Sequence, residues 1–346
     1  MATPDVTVMG AGIFGLSVAY ACARRGASVV VIDPRGPGSG ASGGLVGALA
    51  PHTPERWELK KEFQLESLLM AESFWAGVDG LSGLGSGYGR VGRLQPIVDE
   101  HGLALARERI DQAADYWRGQ ADWQVCPAAE FAGWVPESST GLVVYDTLSA
   151  RMDPGRACRS LDGALKAHGV EFQVEGEPRG LVVWAIGYEG LLEMSAEYGR
   201  EVGNGVKGQS ILLEYDRRTA PQIYVDGVHF VAHDNGTLAI GSTSERYFDD
   251  PVSTDGLLDD LYAQAMLAMP QLADAPVISK WAGVRPRAKT RAPMLGAYPG
   301  RAGQFIANGG FKIGFGMAPK IAEVMADLVL EGMDEIPDEF RVEANL

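Results

Sequence analysis

The stretch Val6-Thr-Val-Met-Gly10-Ala-Gly12-Ile-Phe-Gly15, with Val29-Val-Val-Ile32-Asp33 behind it, decides how this chain is read. Val6 to Met9 is a short apolar run of strand type. Ile13 to Arg25 has helical character and is closed by Gly26. Val29 to Ile32 is a second strand and ends on Asp33, eighteen residues past Gly15. Strand, G-x-G-x-x-G turn, helix, strand and acid make a β-α-β unit of the dinucleotide-binding kind. Gly10 permits the tight turn, Gly12 lets backbone approach a pyrophosphate, and Gly15 lets the helix pack on the strand. The helix N-terminus offers free N–H groups and a positive dipole end to phosphates. Asp33 is placed to accept from both ribose hydroxyls, which argues for an adenosine lacking a 2′-phosphate. The competing reading is a glycine-rich turn that binds nothing.

Composition bounds the rest. A chain of 346 residues has room for two domains of ordinary size. With 46% apolar and 22% charged residues it builds a globular core. A net charge of −15 disfavours a nucleic acid as partner. Cys22, Cys126 and Cys158 are far apart and form no C-x-x-C, and the five histidines show no zinc spacing. No metal is expected, and a reducing, cytoplasmic setting is. The opening residues lack a basic n-region, and no apolar run is long enough to cross a bilayer, so neither signal peptide nor membrane span is expected.

Along the chain, the glycine and serine loop Gly36 to Gly44 is either a linker or a close wrap around a ligand. Trp57 to Trp75 and Leu103 to Trp117 have helical apolar spacing, and the glycine-dense passage Gly77 to Gly92 marks a crossing between domains. Asp153-Pro154 is an N-cap followed by a first-turn proline, opening a helix to about Ala167. Val170 to Val174 and Leu181 to Ile186 are two more strands of the nucleotide-binding sheet, joined by a short link. Residues 205–245 alternate as antiparallel strands, with Asn235-Gly236 as a turn. A helix from Asp255 to Met269 precedes the strand Val277 to Trp281. After the strand Gln304 to Ala307, Pro319 starts the last helix, and the acidic tail Asp334 to Leu346 is peripheral.

The opening GAGIFGLSVAYACARRGASVVVID, the loop GSGASGGLVGALAPH, and the segments VVWAIG, WAGVRP and QFIANGGFKIGFGMAP together resemble the D-amino-acid oxidase superfamily. The chain looks most like glycine oxidase and sarcosine oxidase relatives. The resemblance implies an α/β fold (α+β overall), with a Rossmann-like FAD-binding domain and a discontinuous antiparallel-sheet substrate domain. The FAD domain is expected at 1–80, 148–204 and 284–346, and the substrate domain at 81–147 and 205–283. The resemblance also implies noncovalent FAD. Its ADP half would sit on Gly10, Gly12, Ile13, Phe14, Gly15 and the turn Asp33, Pro34, Arg35, with Ala41 and Ser42 near the phosphates. Gly43, Leu45, Gly47, Ala48 and Leu49 would run beside the isoalloxazine, Val174 would approach the adenine, and Ala185, Gly187 and Arg285 are further cofactor-binding candidates. Gly310, Phe311, Lys312, Ile313, Gly314 and Phe315 would close over the pyrimidine end.

The implied chemistry is hydride removal from a carbon bearing an amine, in a small amino acid or amine that also carries a carboxylate. Arg285 in Gly-Val-Arg-Pro and Lys312 in Gly-Gly-Phe-Lys match the family's carboxylate-binding pattern and are the catalytic-site candidates. Alternatively, Arg285 is a surface ion pair and Lys312 only balances the reduced flavin. Phe230 falls where glycine oxidases carry a substrate-contacting tyrosine. Ala239 and Thr243 fall where sarcosine oxidases carry a lysine and a histidine, so O2 and another electron acceptor both stay open. His229 and His233 share a strand face without a third metal ligand. Arg287, Lys289 and Arg291 form either a second anionic subsite or a solvated loop. Tyr224, Tyr247 and Trp281 are candidate pocket walls, and His52 either contacts substrate or caps a turn. A tRNA-modifying enzyme and a non-catalytic flavin-binding assembly protein are the remaining alternatives.

Overall fold

The computed structural model describes residues 3–346. The chain opens with β1 (Val6–Met9), α1 (Ile13–Arg24), β2 (Val29–Ile32) and, past the glycine loop, β3 (Gly47–Leu49). There follow α2 (Leu59–Ser82), β4 (Arg93–Pro96), α3 (Glu100–Tyr116), β5 (Trp123–Pro127), β6 (Leu142–Asp146) and β7 (Ala150–Met152). Next come α4 (Pro154–Ala167), β8 (Glu171–Gln173), β9 (Leu181–Trp184), α5 (Gly187–Glu197) and the long β10 (Gly203–Glu214). β11 (Gln222–Val225), β12 (Val228–Ala232), β13 (Thr237–Gly241), α6 (Gly256–Ala268) and β14 (Val277–Ala288) complete the middle. β15 (Met294–Ala297), β16 (Gln304–Asn308) and α7 (Gly314–Glu331) end it.

The first sheet has the order β15-β16-β9-β1-β2-β8 and is parallel except for the edge strand β15. Its central strands are rich in valine because they are buried on both faces. α1 is buried nearly all round. It is tied to α7 where Arg25 meets Glu323 at 2.8 Å and Asp327 at 2.5 Å. α4 starts as read: the Asp153 carboxylate accepts from the Arg156 N–H at 3.0 Å, with Pro154 in the first turn. The second sheet has the order β14-β10-β13-β12-β11-β4-β6-β5. α6 covers one of its faces, packing Leu258 and Leu261 into a core with Phe230 and Ile240.

Several expectations are corrected. α2 runs past Trp75 to Ser82, so Gly77 and Gly80 are helical rather than part of a crossing. The buried Val78 holds that last part of the helix on the core. α7 starts at Gly314, and Pro319 lies inside it. In that second turn, the donor a proline lacks would have served only the Phe315 carbonyl. The tail is not peripheral: Ile336, Phe340 and Val342 are buried, and the Phe340 ring meets Phe63 edge-on at 5.1 Å. Both long strands of the second sheet exceed their expected bounds. β10 begins at Gly203 and β14 continues through Arg285 to Ala288, because each pairs with the other along its length. The expected domain boundary between 283 and 284 therefore falls inside one unbroken strand.

Candidate active site

A cavity of about 610 Å³ lies where the C-terminal ends of the parallel strands face the second sheet. Strand ends β1, β2, β9 and β16 contribute Gly10, Asp33, Ala185 and Asn308 to it, and the second sheet contributes Ser210, Tyr224, His229 and Trp281 to Pro286 from β10, β11, β12 and β14. This is where open α/β sheets bind ligands.

At the glycine end the backbone comes very close to itself. Gly10 has φ +105°, and a Cβ there would stand 2.5 Å from the Ala185 carbonyl oxygen. A Cβ on Gly15 would stand 2.0 Å from the Gly10 carbonyl oxygen, so helix and turn touch only because both residues are bare. No side chain caps α1. Ser42 Oγ accepts from the Ile13 N–H at 2.9 Å, while the Gly12 and Phe14 N–H groups have no partner among the described residues. Unpaired N–H groups at a helix start, facing a cavity, are the donor set that a pyrophosphate requires. Asp33 does more than expected. Its Oδ2 accepts from the Ala11 N–H at 2.8 Å, and its Oδ1 accepts from Arg35 and Gly36 N–H groups at 2.8 and 3.1 Å. Acceptor capacity remains on Oδ2 for a hydroxyl. Arg35 forms a fork with Glu189 at 2.9 and 2.6 Å across the cavity mouth.

The other end is built on one row across the second sheet. Trp281 pairs with Ser210, Ser210 with Gly241, Gly241 with His229, and His229 with Tyr224. Partners in a row share a face, and these four side chains line the cavity. The Tyr224 and His229 rings lie 4.6 Å apart. Arg285, on β14, donates to the Ser242 hydroxyl and to the Thr243 carbonyl at 3.3 Å. Lys312 enters from the loop before α7, with its ammonium 5.7 Å from the Phe311 ring centre. Neither cation pairs with a carboxylate among the described residues. The acids that line the cavity, Asp33, Glu189 and Glu193, belong to the nucleotide end.

Burial pushes the Arg285 guanidinium down to about 10, against a smaller opposing pull from Glu245. Burial and then the Arg285 charge lower Lys312. His229 is pushed down to about 3, first by burial and then by Arg93, Lys312 and Arg285. Its Nδ1 is buried without a partner. A histidine depressed in the fold is neutral in both states above its ordinary value. Below about 6.5 only the unfolded chain takes the proton, so stability falls by about 1.4 kcal/mol per pH unit towards pH 3. Melting curves between pH 6.5 and 4.5 should therefore show a smaller acid loss in His229→Phe than in the parent. Equal losses would contradict the neutral buried imidazole.

Most residues expected at the cofactor line this cavity, including Gly10, Gly12, Ser42, Ala48, Gly187 and Gly310 to Phe315. Gly15, Gly43, Leu49 and Val174 do not. Gly15 and Gly43 act by close backbone packing, Leu49 is in the core, and Val174 is exposed at the sheet edge beyond β8. Phe230 does not face the cavity; strand alternation turns it into the core under α6, and the neighbouring His229 takes the pocket position. Alternation within a strand that is apolar apart from His229 does not reveal which face is which, and the sequence pairs His229 with His233 only as a metal question. Among the described residues no cluster of metal ligands exists. Trp281 and Tyr224 are walls, whereas Tyr247 is 93% exposed. Arg287, Lys289 and Arg291 lie off the cavity. His52 is bound to Gln64, with Nδ1 2.6 Å from Oε1, and is likewise outside. Ser210, Ser242 and Asn308 were not foreseen, because nothing in their local sequence marks them.

Comparison with known proteins agrees with this arrangement. The family model described as FAD dependent oxidoreductase (DAO) matches residues 5–328. The glycine oxidase of Pseudomonas aeruginosa is 26% identical, over 96% of each chain. The bifunctional protein ThiO/ThiG of Trichormus variabilis is 25% identical over 95% of this chain, which spans only 53% of that larger protein. The crystal structure of glycine oxidase from Geobacillus kaustophilus superposes with a TM-score of 0.84 at 20% identity, covering 98% of both chains. No helix among the described residues is long and apolar enough to cross a membrane. A helix start with unpaired N–H groups at one end of the cavity, unpaired cations at the other, and a family match across nearly the whole length lead to one assignment: this chain belongs to the DAO family of FAD-dependent oxidoreductases, whose members act on amine and amino-acid C–N bonds.

Proposed function

We propose that the enzyme oxidises the C–N bond of a small amino acid or secondary amine that carries a carboxylate, a glycine-, D-amino-acid- or sarcosine-like substrate. The observation that carries this reading is the pair of cations, Arg285 and Lys312, that meet no acid at the substrate end. The Gly10 to Gly15 turn, Asp33 and the Ser42 loop would hold FAD noncovalently, and the bound flavin would supply the acceptor for hydride from the amine-bearing carbon. Arg285 receives the carboxylate with its planar fork, and Lys312 adds charge without a fork. Anchoring one end of a small molecule fixes where its α-carbon stands, and the gain is positional. No acid lines this end of the cavity, so an ammonium finds no direct counter-charge and the amine is held uncharged. His229, neutral down to about pH 3, adds no third positive charge. The free cysteines fit a reducing, cytoplasmic setting.

The test is anaerobic titration of the yellow holoenzyme with glycine, sarcosine, D-alanine and D-proline, reading flavin absorbance. Bleaching by at least one is expected, and failure of the whole panel overturns the reading. Recovery on admitting air separates O2 from another electron acceptor. Lys312→Met should raise the Kd of the reducing substrate about tenfold at low salt, as expected for one lost charge contact in a partly dry site. An unchanged Kd would remove Lys312 from substrate binding.

A further inference from the structure

One rung of the second sheet is bare. Gly208 of β10 pairs directly with Gly283 of β14, so the cavity face has no side chain there. The Arg285 guanidinium occupies that gap. A Cβ added at Gly208 would stand 2.0 Å from Nη1, 2.1 Å from Nη2 and 2.3 Å from Cζ of Arg285. On its other side the guanidinium donates to Ser242 Oγ and to the Thr243 carbonyl. The segment that carries these acceptors is held by the two neighbours of Gly208. The Gln209 N–H donates to Thr243 Oγ1 at 2.8 Å, and its side-chain amide donates to Glu245 at 3.0 Å and Asp255 at 2.7 Å. Lys207 and Glu245 exchange two backbone hydrogen bonds of 2.9 Å. Strand alternation thus divides the work along three residues: 207 and 209 fasten the segment, and 208 leaves space.

We infer that Gly208 is a positioning residue for the anion anchor: its missing side chain, with Ser242 and Thr243, determines where the Arg285 fork stands. This inference rests on the reading of Arg285 as the carboxylate anchor. An arginine is flexible at its far end, so a methyl group at 208 displaces the guanidinium rather than the strand. The fold survives and the fork leaves its place, which strands an anchor built for a planar anion.

The experiment titrates holoenzyme with acetate and with acetamide, its neutral isostere, by calorimetry, and follows substrate kinetics in parallel. Gly208→Ala should raise the Kd for acetate at least about tenfold, the scale of a lost charged hydrogen bond. Acetamide affinity and flavin content should stay at parental values, and KM for whichever panel substrate reduces the flavin should rise more than kcat falls. Ser242→Ala removes the acceptor without adding bulk and should raise the acetate Kd about threefold or more; it keeps the test open if Gly208→Ala does not fold. An acetate Kd unchanged in either folded variant overturns the inference. So does an equal loss for acetate and acetamide, which would mean general loosening. If the parental holoenzyme itself binds no acetate, the underlying reading of Arg285 fails, and that failure is visible before any variant is made.

Discussion

Arg285→Met is expected to lower kcat/KM for a carboxylate-bearing amine by about two orders of magnitude, close to 3 kcal/mol, while the protein stays yellow. Methionine keeps the length and the apolar packing of the stem but removes the charge and the fork. The loss is large because the guanidinium is partly buried in the cavity wall, and burial has already brought it down to about 10. Water screens little of its attraction for a carboxylate there. Lys312 remains, but a point charge does not fix orientation, so both binding and the rate of flavin reduction should fall. The same substitution removes one of the three cations that press on His229, so the imidazole should titrate at a higher pH than in the parent. Stopped-flow reduction under anaerobic conditions measures the first effect, and imidazole NMR across the acid range measures the second. A variant that reduces its flavin as fast as the parent would take Arg285 out of the mechanism.

Gly15→Ala should have the second largest effect, on cofactor and fold together. The new methyl would lie 2.0 Å from the Gly10 carbonyl oxygen, 3.1 Å from the Gly10 carbonyl carbon and 3.3 Å from Ala185 Cβ. The first two are backbone atoms, and neither can swing aside. The helix must lift from the turn, at a cost of about 3 kcal/mol, the upper range for overpacking. Lifting α1 also moves the Gly12 and Phe14 N–H groups away from the cavity. The variant should leave a sizing column colourless, with a lower Tm and little absorbance near 450 nm. Gly12→Ala is the informative contrast. Its methyl meets only Ser42 Oγ, at 3.3 Å, so the variant should fold normally and hold FAD more weakly. A Gly15→Ala protein that is fully yellow and as stable as the parent would refute the close-packing role.

The two ends of the site differ in how far the sequence discloses them. The nucleotide end is local. β1, the glycine turn, α1 and Asp33 lie within one short stretch, and each residue type has one conformational or hydrogen-bonding reason to be there. The valine runs of β1 and β2 announce a parallel sheet covered on both faces. The Asp153-Pro154 cap was equally plain, because its hydrogen bond is made within the same turn. Arg285 and Lys312 were reached through family resemblance, since no spacing along the chain relates them.

The substrate end is not local, and its register defeated the pattern. Gly203 to Gly208 carries three glycines and is held as the start of a long strand because β14 pairs with it residue by residue. Phe230 and His229 are neighbours on one apolar strand, and α6 decides which of them faces the core. The tail has loop composition, yet Phe340 finds a place against Phe63. From its order of residues alone this chain determines a dinucleotide turn and a parallel sheet, and resemblance adds a pair of candidate cations. Only the tertiary structure decides that Trp281, Ser210, His229 and Tyr224 stand in one row, and that a bare glycine leaves room for Arg285. The reason is physical: helix starts and tight turns are settled by bonds between near neighbours, whereas strand register and the face a side chain takes are settled by partners far away in the chain.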